Sequence, residues 1–220
     1  MFEVAILTAT PEFTQDEFGA LLSIVSPEKQ ERIKKFKFFR DARNCLLGDI
    51  LARSEISRVT GFDAGQLEFT TNEYGKPLLA NNPHIHFNIS HAGDYIACVV
   101  ADEPVGIDVE VMKATDLKIA ERFFATDELA YVMGGDHVWR FYEIWTKKES
   151  HIKWEGKGLH KSLPSFSVEG SERIVYREVF SNGEAICHVC STKPMPPSVK
   201  MIGTTELVKY IHGTLVYTVT

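Results

Sequence analysis

The segment Gly106-Ile107-Asp108-Val109-Glu110-Val111 constrains this chain more than any other. It follows the apolar run Tyr95-Ile96-Ala97-Cys98-Val99-Val100, and it alternates apolar and acidic residues. A strand has a period of two, so Ile107 and Val109 take one face while Asp108 and Glu110 take the other. A strand between apolar runs is central, and two unpaired carboxylates buried there are costly without a cation. A second segment, Trp145-Thr146-Lys147-Lys148-Glu149-Ser150-His151-Ile152-Lys153, reads as helix and puts Glu149 and Lys153 on one face with Trp145. Two strand carboxylates and one helix carboxylate form a hard oxygen set suited to Mg²⁺, an ion that keeps positions for water and substrate phosphate. Asp108, Glu110 and Glu149 are therefore the candidate metal ligands, and Lys148 and Lys153 beside them suit a phosphate. The pattern points to metal-assisted chemistry on a phosphate ester or anhydride.

With 220 residues, 44% hydrophobic and 25% charged, the chain can build one large domain or two packed halves of roughly 100 residues each. Its net charge of -6 argues against a general nucleic-acid binder. Met1-Phe2-Glu3 is not a positively charged leader, and no apolar run is long enough to span a bilayer, so the expected setting is the cytosol, with no nucleic-acid or membrane partner. Four cysteines in a chain this long do not form a disulfide framework. Cys187-His188-Val189-Cys190 has the spacing of a zinc or redox pair, but no second pair accompanies it. In a strand those two thiols point to opposite faces.

Local signals place the elements. Phe2–Ala9 reads as a strand, and a short helix is expected within Pro11–Val25. Ser26-Pro27 starts a helix that should run to about Phe39. A second helix, Asp41–Val59, carries the apolar stripe Leu46, Leu47, Ile50, Leu51 and Ile56 and ends at Gly61. Leu67–Thr70 is a short strand, Asn72–Pro77 a turn, and His86–His91, Tyr95–Ala101 and Val105–Val111 further strands. Helices follow at Leu117–Phe124, from Thr126 to the break at Gly134-Gly135, and at His137–Trp154. The tail, Ser165–Thr220, reads as strand-rich, with loops near Ser181-Asn182-Gly183 and Pro194–Pro197. Helices then strands occur twice, the order of an α+β protein with two similar halves. Between Lys29 and Arg43 lie seven cations, Lys29, Arg32, Lys34, Lys35, Lys37, Arg40 and Arg43, opposed only by Glu31 and Asp41. This local patch suits an anionic ligand or an acidic partner.

Taken in order, Tyr74-Gly75-Lys76-Pro77, Phe87-Asn88-Ile89-Ser90-His91, Gly106–Glu110, Arg122-Phe123-Phe124, Trp145–Ser150 and Gly156-Lys157-Gly158-Leu159 resemble one family. It is the 4′-phosphopantetheinyl transferases, of the larger type that activates surfactin synthetase. The resemblance covers roughly Ser26–Ser167. It implies two pseudo-symmetric α+β halves, each a small antiparallel sheet packed on helices, with the active site between them; we place the division at 1–107 and 108–220. It implies a monomer that moves phosphopantetheine from coenzyme A to a serine of an acidic apo-carrier protein, with Mg²⁺ as cofactor, releasing 3′,5′-ADP.

The resemblance also assigns residues. Ser90 and His91 hold coenzyme A phosphates, and Gly75, Lys76 and Pro77 contact adenine and phosphate, although the same tripeptide alone is only a turn. Apart from the resemblance, Lys29 and Arg32 of the positive patch, and Lys148 beside the acidic group, are candidate coenzyme A contacts. Where the family often has arginine, this chain has Asn44, and Arg43 or another nearby cation is the expected substitute for the 3′-phosphate contact. Lys153 stabilises or protonates the leaving phosphate. Either Glu149 or Glu128 is the base. Two rivals remain at this level. One is a Mg²⁺-dependent hydrolase of coenzyme A or a related pyrophosphate; the other is a carrier-binding module without turnover.

Overall fold

The computed structural model describes residues 1–10, 13–158, 161–170, 173–193 and 198–216. Leu159, the loop expected at 194–197 and the last four positions lie outside the described residues. Strand β1 (Phe2–Thr8) is followed by helices α1 (Gln15–Leu22), α2 (Pro27–Lys34) and α3 (Phe39–Thr60). Then come β2 (Phe69–Thr71), β3 (Pro77–Leu79), β4 (His86–Ala92), β5 (Tyr95–Ala101) and β6 (Gly106–Val111). Helices α4 (Lys118–Phe123), α5 (Thr126–Met133) and α6 (His137–Glu155) precede β7 (Val175–Ser181), β8 (Ala185–Ser191), β9 (Ser198–Gly203) and α7 (Thr204–Val216).

Each boundary has a local cause. Ser26 accepts from the Lys29 N–H with Pro27 next to it, so α2 starts there. It stops at Lys34 instead of reaching Phe39, because the Lys35 and Phe36 N–H groups turn back to the Arg32 and Ile33 carbonyls in a tighter turn. Gly61 ends α3 and Gly156 ends α6, each with positive φ (76° and 69°), a conformation open to glycine.

The strands form a sheet of order β4-β5-β1-β9 and a second of order β6-β8-β7, with β2-β3 a separate pair. The pairings are antiparallel except β1 with β9, which is parallel. The tail thus returns to the first sheet, and α7 packs on α3. That helix was hidden in a tail rich in β-branched residues, yet Leu207, Val208 and Ile211 have helical spacing and are buried.

Alternation along the strands builds a four-layer sandwich of helices, sheet, sheet and helices. Ala5, Leu7, Ile96, Cys98 and Val100 face α3 and the stripe Leu46, Leu47, Ile50, Leu51 and Ile56. Val4, Ile6, Ala97, Val99, Ile107, Val109, Cys187 and Val189 fill the space between the sheets. Phe141, Ile144 and Ile186 pack with Phe124 and Val132 under α6 and α5. With Ile107 and Val109 turned to the first sheet, Asp108 and Glu110 are left on the face that α6 covers. Gly106 lets α6 approach: a Cβ there would stand 2.0 Å from the Ser150 carbonyl oxygen and 2.4 Å from the Trp154 nitrogen. The four cysteines are free thiols, and among the described residues no helix is long and apolar enough to cross a membrane.

Candidate active site

Asp108 is buried on β6, and three elements meet at its carboxylate. The Lys153 ammonium from α6 donates to Oδ1 at 2.5 Å. The Ser90 hydroxyl from β4 donates to the same oxygen at 2.8 Å and accepts from Lys153 at 2.7 Å. Oδ2 is buried and has no hydrogen-bond partner. The backbone supports this junction, since the Asn88 side-chain oxygen accepts from the Ile107 N–H at 2.9 Å and ties β4 to β6.

Glu110 and Glu149 complete the acidic group. Burial, then the nearby Asp108 carboxylate, raises Glu110 to about 7, against the pull of Lys153 and the Trp145 hydrogen bond. Glu149 is raised for the same two reasons, with Lys153 opposing. The three carboxylates therefore repel one another across a poorly solvated space. Among the described residues, no three His, Cys, Asp or Glu side chains stand close enough to form a ready-made metal cage. The donor chemistry nevertheless fits a hard divalent cation: three carboxylates in one field, one of them with an orphaned buried oxygen.

A cavity of about 670 Å³ opens on the other face of β4, and none of Asp108, Glu110, Glu149 or Lys153 lines it. Ile89 lines it, while its neighbour Ser90 points to Asp108. Lys29, Arg32, Gly75 and Pro77 line it as well, together with Phe69 and Phe87; its three cations, Lys29, Arg32 and Arg53, are matched by Glu28, Asp49 and Glu68. The Asp49 carboxylate stands 3.6 Å from Lys29 and 2.7 Å from Arg53. His91, at the exposed end of β4, lies in the field of Lys153, Asp41 and Lys29; partial desolvation and then Lys153 lower its pKa. Arg43 reaches the β4–β5 turn, donating to Asp94 at 2.6 Å and to the Asn44 side chain, which in turn holds the Gly93 carbonyl.

Three expected site residues are placed elsewhere. Lys148 and Glu128 are both 0% exposed and pair at 2.7 Å. Lys148 also donates to the Leu163 and Phe166 carbonyls, and Glu128 accepts from the Ala125 and Val168 N–H groups. In this arrangement both side chains are turned into the core and away from Asp108 and the cavity. Lys76 directs its ammonium at the carbonyls of Val105, Lys153 and Trp154 instead of into the cavity. Sequence reasoning missed Asn72, whose side chain orders the Tyr74–Lys76 turn and donates to the Gly156 carbonyl. An asparagine just ahead of a Tyr-Gly-Lys turn is a legible signal. It also missed the buried His188, which faces Thr146 at 2.8 Å on the Asp108 side of the second sheet; nothing local marks that pair.

Comparison with known proteins identifies the family. Residues 11–104 match the family model described as 4′-phosphopantetheinyl transferase, N-terminal, and residues 104–202 match that of the 4′-phosphopantetheinyl transferase superfamily. The chain is similar to the 4′-phosphopantetheinyl transferase Sfp of Bacillus subtilis, with 44% identity over 191 residues covering 86% of this chain and 85% of that one. It is 35% identical over 183 residues to the 4′-phosphopantetheinyl transferase gsp of Aneurinibacillus migulanus, covering 81% of this chain and 76% of that one. A mouse L-aminoadipate-semialdehyde dehydrogenase-phosphopantetheinyl transferase is 32% identical over 153 residues, 61% of this chain and 49% of that one. With two family models together matching residues 11–202, and with 44% identity to Sfp over most of both chains, the chain belongs to the 4′-phosphopantetheinyl transferase superfamily, in its Sfp type.

Proposed function

We propose that this enzyme uses Mg²⁺ to transfer 4′-phosphopantetheine from coenzyme A to a serine of an acidic apo-carrier protein. One observation carries the reading: Asp108 has one oxygen held by Lys153 and Ser90 and the other orphaned, with Glu110 and Glu149 in the same field. Asp108, Glu110 and Glu149 are the residues that would hold the metal. When bound, it supplies charge neutralisation on the pyrophosphate.

The remaining roles belong to this chain's own groups. Lys29 and Arg32 bind the anionic nucleotide end in the cavity, with Gly75 and Pro77 as its wall. His91, in the field of Lys153 and Lys29, is a further phosphate contact. The carrier serine attacks the β-phosphate: a new O–P bond forms and the P–O bond to 3′,5′-ADP breaks. Glu149 is the proton acceptor, since Glu128 is sealed in the core. Lys153 donates to the leaving phosphate. Docking of the carrier excludes water from the serine's path. The corner between α2 and α3 gives an acidic carrier a positive surface, with Lys34, Lys35, Lys37 and Arg40 all exposed around Phe38, itself 60% exposed. On this reading the two halves meet near residue 107 with the site between them, so one chain suffices and the enzyme is a monomer.

The cavity cations address the nucleotide half of coenzyme A, and none of the assigned groups addresses its thiol. Acetyl-coenzyme A is therefore expected to serve within a few-fold of coenzyme A. Dephospho-coenzyme A is expected to bind about tenfold more weakly or worse, the scale of one lost charge-assisted hydrogen bond. Competition among the three on one apo-carrier tests this. Strong rejection of acetyl-coenzyme A together with indifference to the 3′-phosphate would contradict the assignment.

A further inference from the structure

A helix end leaves backbone carbonyls without intrahelical partners, and α6 ends inside the protein. Gly156 closes the last turn, its N–H bonding to the Ile152 carbonyl at 2.9 Å. The carbonyls beyond are met by the turn between β2 and β3, about 80 residues away in sequence. Lys76 Nζ donates to the Lys153 carbonyl at 2.6 Å and to that of Trp154 at 3.3 Å, and Asn72 Nδ2 donates to that of Gly156 at 2.8 Å. The same ammonium donates to the Val105 carbonyl at 3.1 Å, one residue before β6 begins.

An ammonium has three hydrogens, and here all three are directed at backbone oxygens. Burial lowers the Lys76 pKa to about 8, as a desolvated amine requires. The turn is itself rigid: Asn72 Oδ1 accepts from the N–H groups of Tyr74 and Lys76, and Asn72 N–H donates to the Lys76 carbonyl. Its fit is close, since a Cβ on Gly156 would lie 2.8 Å from Lys76 Cδ and 3.3 Å from Asn72 Nδ2. A cation at a helix C-terminus also complements the helix dipole. The two ends joined in this way belong to α6, which carries Glu149 and Lys153, and β6, which carries Asp108 and Glu110.

We infer that Lys76, together with Asn72, is a positioning residue: a clasp that locks the end of α6 to the start of β6 and so sets Lys153 against Asp108. It does not bind a phosphate of coenzyme A. The consequence for catalysis rests on the proposed transfer reaction; the clasp itself does not.

The test uses the full-length enzyme with K76M, K76R and N72A. Misplacing a reacting group by about 1 Å costs on the order of 100-fold in rate. K76M is accordingly expected to lower kcat about tenfold or more, while the coenzyme A Kd by titration calorimetry stays within about twofold. K76R, which keeps donor hydrogens, recovers part of the rate, and N72A shifts kcat in the same direction as K76M. Amide exchange of the last turn of α6 speeds up in K76M and N72A, a readout independent of activity. If K76M does not fold, N72A carries the same comparison alone. Loss of coenzyme A affinity with kcat retained at saturation would overturn the inference, as would unchanged rates and exchange in both variants. If the wild type neither binds coenzyme A nor modifies a carrier, the transfer reading fails, and faster α6 exchange in the variants would still support the clasp.

Discussion

Asp108→Ala is expected to lower kcat/KM by about three orders of magnitude or more, the scale of removing one preorganised electrostatic group from a phosphoryl-transfer site. Its carboxylate is the point where β4, β6 and α6 meet, and the substitution also frees Lys153 from its partner. Stability should move the other way or not at all. Asp108 carries a buried oxygen without a partner, and its charge helps raise both Glu110 and Glu149, so its removal relieves repulsion in the folded state. Lys153 is partly exposed and can turn to water. Kinetics at limiting and saturating Mg²⁺, with a melting curve beside them, test both halves of the expectation. Wild-type turnover at limiting Mg²⁺ would remove Asp108 from the metal site.

Lys148→Met should do the opposite, with its main effect on the fold. The Lys148–Glu128 pair is sealed from solvent, and its hydrogen bonds hold the start of α5 and the Leu163–Val168 segment against α6. The Lys148 ammonium also lies 4.2 Å from the centre of the Phe166 ring, with Lys161 at 4.4 Å. Removing one partner strands a buried charge, at about 3–5 kcal/mol. For a chain of this size that corresponds to a fall in Tm of about 10 °C. The E128Q/K148M double variant should regain much of the loss, because a neutral pair carries no charge-desolvation penalty. A single-variant fall of less than roughly 3 °C, or a double variant no better than the single, would contradict this role.

The sequence revealed the fold wherever one local pattern decided it. Alternation through Gly106–Val111 put Asp108 and Glu110 on one face of a buried strand, and that face is where α6 lies. Ser26-Pro27, Gly61 and Gly156 marked helix ends that the structure keeps. Long-range pairing was not legible. The parallel return of β9 to β1 joins residues 195 positions apart, and α7 packs on α3 across more than 140 positions; no local signal encodes such partners.

At the site, residue type alone told only half the story. Lys29, Arg32, Gly75 and Pro77 line one cavity, and Ser90 meets Asp108. Lys148 is adjacent in sequence to Glu149 yet points into the core, because neighbouring helical positions are about 100° apart. Lys76 reads as a phosphate contact only through the family resemblance, since its tripeptide alone reads as a turn; the helix end it caps became visible only in three dimensions.

The central claim is that this chain moves phosphopantetheine onto a protein serine. Intact-protein mass spectrometry of a panel of apo-carriers, incubated with the enzyme, coenzyme A and Mg²⁺, tests it most directly. The account predicts that at least one carrier gains a single phosphopantetheine, with one equivalent of 3′,5′-ADP released only when that carrier is present. Release of 3′,5′-ADP without a carrier, with every carrier mass unchanged, would contradict it and identify a hydrolase instead.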